Sequence, residues 1–146
     1  MKTSFKILFP FVIYVISSFT AYAQTGRFYT TDGGLSSSLI NHFFQDSKGF
    51  MWTATEYGLN SFDGLRFANY WHVSGDSTSI KNNYVRTLFE DSRQNLLIGC
   101  IDGLMRYDRE TNTFSEIPMI RAGKQVFPHV TQMQELHNGE IWMTTT

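Results

Sequence analysis

Carboxylates recur in this sequence where they could do acid–base chemistry. Asp46 and Asp91 lie 45 residues apart, and so do Asp63 and Asp108. A carboxylate pair held a few ångströms apart is the machinery of glycoside hydrolysis, one member as acid/base and one as nucleophile or base. Repetition argues against that use, because a reaction needs one such pair and not a copy in every unit. Asp at the head of Asp46-Ser47-Lys48-Gly49 and of Asp91-Ser92-Arg93-Gln94 instead suits the first position of a type I turn. There its carboxylate accepts a hydrogen bond from the backbone two residues on. The histidines His42, His72, His129 and His137 show no zinc-ligand spacing beside an acid. Cys100 sits in the apolar run Leu96-Leu97-Ile98-Gly99-Cys100-Ile101 and reads as a small buried hydrophobe. No catalytic, metal or cofactor residue is assigned. Tyr70, Trp71 and Tyr84 sit near strand ends, where a sugar ring could stack; they are the candidate ligand contacts, with core or rim packing as the alternative.

The elements that would carry these residues recur with the same spacing. Phe44-Gln45-Asp46-Ser47-Lys48-Gly49-Phe50-Met51-Trp52 and Tyr57-Gly58-Leu59-Asn60-Ser61-Phe62-Asp63 return 45 residues later. The second copy reads Phe89-Glu90-Asp91-Ser92-Arg93-Gln94-Asn95-Leu96-Leu97 and Asp102-Gly103-Leu104-Met105-Arg106-Tyr107-Asp108, and a third begins at Gln134 with Asn138-Gly139 and Trp142. Glycine or Asn-Gly at the turns (Gly49, Gly58, Gly103, Gly139) separates short β-prone runs. Strands are predicted over 40–45, 50–55, 59–62 and 67–71, then 85–90, 95–100, 104–107 and 113–117, then 130–135 and 141–145. Trp52 and Trp142 share one strand position and predict anchors between packed sheets. Four antiparallel strands per repeat of this length is the size of a propeller blade. The fold class is therefore all-β, an incomplete β-propeller with blades at 38–71 and 83–117 and a partial blade at 128–146. Segments 74–79 and 121–124 read as linkers. Blades that do not close a ring expose edges and faces, so the chain reads as the front of a longer polypeptide.

Residues 1–23 form a secretory signal peptide: Lys2 and Lys6, an apolar run from Ile7 to Phe19, then Ala21-Tyr22-Ala23. The run is shorter than the roughly 20 residues of a spanning helix. Its removal takes two lysines and moves the net charge from −1 to −3. Segment 24–146 then holds no basic block, which excludes the electrostatic footprint of a nucleic-acid binder. One cysteine leaves no intramolecular disulfide in an exported chain.

The sequence resembles the two-component regulator propeller repeat, found in the periplasmic sensor region of hybrid two-component histidine kinases. The first unit carries the resemblance through Asp46, Gly49, Trp52, Gly58, Leu59 and Asp63. The second carries it through Asp91, Gly103, Leu104, Tyr107 and Asp108, with Leu97 in place of Trp, and the third through Gly139 and Trp142. It implies a periplasmic segment of an inner-membrane receptor that senses glycan fragments and signals to a cytoplasmic kinase further along the polypeptide. The implied partners are the remaining blades, an oligosaccharide and a second receptor copy as homodimer. Segment 27–31 resembles the strand that closes such a ring. These motif residues build the blade and name no ligand contact. A sialidase-like propeller glycosidase, whose Asp-box shares the Asp-x-x-Gly-x-x-Trp turn, and a non-catalytic scaffold propeller are the alternatives.

Overall fold

A computed structural model describes residues 26–146; the signal-peptide reading lies outside the described residues. Alternation of side chains and glycine turns yield two four-stranded antiparallel sheets. The first joins β1 (Ile40–Gln45), β2 (Met51–Thr55), β3 (Gly58–Phe62) and β4 (Phe67–Tyr70) in sequence order. The second joins β5 (Val85–Glu90), β6 (Leu96–Cys100), β7 (Gly103–Asp108) and β8 (Thr113–Ile117) in the same order. A short hairpin of β9 (Met119–Arg121) and β10 (Lys124–Val126) follows, then the pair β11 (Val130–Glu135) and β12 (Ile141–Thr145). The first strands β1, β5 and β11 pack side by side, so the sheets stack as successive propeller blades. They do not close a ring among the described residues.

The 121–124 linker reading is corrected: Arg121 and Lys124 pair across the β9–β10 turn. Ala122 and Gly123 both take positive φ, 50° and 76°, the geometry of a tight two-residue hairpin turn. The flanking strands are mostly exposed and lack apolar alternation, which hid them. Segment 27–31 pairs with no strand among the described residues; Phe28 is 95% exposed, Tyr29 rests on Phe62 and Phe67, and Thr31 opens a 3-10 turn, Thr31–Gly33.

Period-2 alternation divides β6 between two cores. Leu96, Ile98 and Cys100 face the first sheet with Trp52, Ala54, Leu59, Val85, Leu88, Met105 and Phe114. Leu97 faces the third blade with Leu104, Val130 and Met133. Gly99 lets β11 come close: a Cβ there would stand 2.6 Å from Thr87 Cγ2 and 3.0 Å from Val130 Cβ. Burying an aromatic of Trp size is among the larger single contributions to such a core, since its removal costs about 3–5 kcal/mol. Trp52 occupies that role, 1% exposed. Trp142 holds the same register place, opposite Gln134 as Trp52 is opposite Phe44, but is 65% exposed. No sheet covers its face among the described residues.

Candidate functional site

The repeated turns fold by carboxylate capping. Gly49 N donates to Asp46 O at 2.9 Å, with Gly49 at φ 89°. Asp46 Oδ1 accepts Lys48 N and Phe50 N, and Oδ2 accepts Trp52 Nε1 at 2.7 Å, so the turn fixes the indole that anchors the core. Burial alone would raise the Asp46 pKa; donation from Trp52, Arg109 and Phe50 and the Arg109 charge outweigh it and hold the carboxyl below its ordinary range. In the second blade Asp91 Oδ1 accepts Arg93 N and Asn95 N, and the Asn95 amide takes the indole's place at 2.8 Å from Oδ2. Asp63 Oδ1 accepts Leu65 N and Arg66 N, and Asp108 Oδ1 accepts Glu110 N and Thr111 N. All four aspartates are thus turn and cap acceptors.

One contact repeats between blades. Ser47 N and Oγ donate to both oxygens of Glu90 at 2.6 and 2.9 Å, and Ser92 N and Oγ donate to Glu135 at 2.6 and 2.7 Å. Arg109 strengthens the first junction, bonding Asp46 Oδ2 at 2.7 Å and Glu90 Oε1 at 2.8 Å. Sequence reading missed both features, because each depends on how one blade stacks on the next.

The three candidate ligand aromatics do not form one surface. Tyr70 lies on Trp52 at 5.8 Å and 21°, meets Phe114 edge-on at 5.2 Å, and donates to Asn112 Oδ1 at 3.1 Å. Its ring is committed to the interface between blades. Burial first, then the Tyr70 hydroxyl, raise the pKa of neighbouring Tyr107, whose own hydroxyl donates to the same Asn112 oxygen at 2.8 Å. Trp71 and Tyr84 both border the Thr55–Gly58 turn. Trp71 is 49% exposed, close enough that a Cβ on Gly58 would meet its ring at 3.0 Å. Tyr84 donates to Glu56 Oε1 at 3.2 Å and sets its ring at right angles to His129, 6.4 Å away. This end of the blades retains an aromatic edge with a carboxylate beside it.

The histidines serve separately: His42 Nδ1 accepts Leu88 N, His72 Nδ1 lies 3.0 Å from Ile80 O, and His129 Nδ1 lies 3.2 Å from Thr146 Oγ1. No cluster of three metal-binding side chains occurs among the described residues. Cys100 is fully buried, and burial pushes its thiol up to about 12, which leaves it inert as a nucleophile.

Comparison with known proteins agrees with this geometry. Residues 34–57, which contain the Asp46 turn and Trp52, match the family model described as "Two component regulator propeller". Over 77 residues, 50% of this chain, it is 35% identical to histidine kinase P4 of Formosa agariphila. Two solved extracellular domains assigned to hybrid two component systems of B. thetaiotaomicron share the fold. One is 30% identical with a TM-score of 0.69 over 80% of this chain, and the other 26% identical with a TM-score of 0.68 over 84%. The chain spans 6% of the Formosa kinase and 17% and 18% of the two solved domains. A repeat in phase, a matching family model and these shared folds agree: the first blade, residues 34–57, matches the two-component regulator propeller repeat.

Proposed function

We propose that these blades form part of the extracytoplasmic sensing domain of a hybrid two-component receptor. In this reading they contact glycan fragments in the periplasm and bias a histidine kinase carried elsewhere in the same polypeptide, anchored in the inner membrane. The observation that carries the reading is the Asp46–Trp52 turn within a blade stack that resembles extracellular domains of hybrid two-component systems over four-fifths of the chain. The enzyme alternative is weaker because Asp46, Asp63, Asp91 and Asp108 all cap backbone N–H groups, which leaves these carboxylates poorly placed for catalysis. A ligand switches a receptor only through unequal affinity for its two states.

Calorimetric titration of the full chain with defined neutral and acidic oligosaccharides tests the sensing role. Saturable binding without hydrolysis, checked by chromatography of the sugar, is expected. Release of shorter sugars would favour the glycosidase, and no binding to any saccharide would favour a scaffold.

A further inference from the structure

Three strands share one irregularity. The pairing of β1 with β2, β5 with β6 and β11 with β12 slips at the same place, leaving Asn41, Arg86 and Thr131 as the extra residue in each first strand. Such bulges re-aim a side chain out of the regular ladder. Here the three, with His42, Thr87 and Gln132, line one hollow of about 470 Å³ shared by the first strands of all three blades. That volume is in the range of small-molecule sites.

The lining has a consistent polarity. Among the described residues Arg86 is its only cation, and no carboxylate of theirs lines it. The ion pairs of the described residues involve Lys81 and Arg109, so the Arg86 guanidinium has no acidic partner among them. Both flanking blades, β1 and β11, are in place beside β5. His42 Nδ1 accepts Leu88 N at 3.1 Å, which puts the ring proton on Nε2 and makes that nitrogen a donor. Asn41 and Thr131 are occupied by the Val85 and Thr144 backbone carbonyls and act as supports. Arg86, His42 and Gln132 remain as donors, without a competing acid. A guanidinium fork matches the paired oxygens of a carboxylate or sulfate.

We propose that this hollow binds the anionic group of an acidic saccharide, a carboxylate or a sulfate, with Arg86 as charge partner and the His42 Nε2–H and Gln132 amide as flanking donors. The saccharide part of this inference rests on the sensing role above; the anion site rests on the three bulges and the unpaired Arg86.

The test is an NMR titration of the isotope-labelled full chain with sodium glucuronate, sodium sulfate and glucose at constant ionic strength. Glucuronate or sulfate should give saturable shifts at the Arg86 Nε–H and the Gln132 side-chain amide, and glucose should give none. Arg86→Gln should weaken binding by about tenfold or more. Arg93→Gln, on an exposed turn, should leave it unchanged, and the Trp52 indole signal should report that both variants keep the first interface. Tighter binding of glucuronate marks a sugar carboxylate, and tighter binding of sulfate marks a sulfate ester. Shifts spread over all arginines, or an affinity unmoved by Arg86→Gln, overturn the site. A neutral oligosaccharide that binds Arg86→Gln as well as the parent chain would keep the sensing role and sink this inference. Anion binding at Arg86 with no saccharide bound anywhere would keep the site and sink the sensing role.

Discussion

Asp46 in the first blade and Arg109 in the second are joined by a 2.7 Å hydrogen bond from Nη1 to Oδ2, the same oxygen that receives the Trp52 indole. One carboxylate thus closes a turn, fixes a core anchor and ties two blades. Asp46→Ala should destabilise the chain by about 3 kcal/mol, since it leaves two backbone donors and the buried Trp52 indole without their acceptor and takes from Arg109 one of its two carboxylate partners. Urea unfolding followed by tryptophan fluorescence measures this, and a loss under 1 kcal/mol would show that solvent replaces Asp46.

The same carboxylate makes stability depend on acid. Its pKa is held below the unfolded value of 3.8, so its contribution is complete above pH 3.8 and is lost as pH falls through the lower folded value. Asp63 and Asp108 shift in the same direction through N–H donation in their turns, from Arg66 and Leu65 and from Thr111 and Glu110. The parent should therefore lose stability below pH 3.8 more steeply than Asp46→Asn, with the difference isolating Asp46. Parallel curves for the two proteins would contradict this assignment.

Gln94 stands at φ 64° where the other blades place Gly49 at 89° and Gly139 at 82°. The left-handed region costs an L-residue about 1–2 kcal/mol. Gln94→Gly should stabilise by up to about 1 kcal/mol after the entropy of the added glycine. Gly49→Ala should destabilise by about 1 kcal/mol through backbone strain alone, because nothing lies within 4 Å of the added Cβ. Thermal melts of the two variants should move in opposite directions.

Cys100 should stay unmodified by an aromatic disulfide reagent at pH 8 and react within seconds once denaturant opens the interface. Its burial is complete and its thiol pKa is up to about 12. Rapid modification of the native chain would place it outside the core.

Much of the blade was legible because local chemistry decides it. The Asp46 and Asn138-Gly139 turns and the first strands 40–45, 85–90 and 130–135 follow from turn residues and alternation. Trp52 was legible as an anchor from its repeated position. The loss of Trp at Leu97 was visible, but not that Asn95 restores the hydrogen bond to Asp91, since compensation by a different residue two positions away leaves no periodic trace. Arg109 lies in the short connection between β7 and β8, and its reach to Asp46 depends on how two blades stack. Arg86 escaped for a related reason, because a bulge is a property of paired strands and not of one. Proximity to strand ends does not separate Tyr70, turned between blades, from Trp71 and Tyr84 at the turn.

The most direct test of the central claim is the coding sequence downstream of codon 146, read in all three frames. A sensing domain of a hybrid two-component receptor predicts further repeats of the same length, each with the Asp-turn and Gly-Leu elements, followed by a membrane helix and a histidine kinase. A stop with no further repeat, membrane segment or kinase in any frame would contradict the receptor and leave a blade stack with another role.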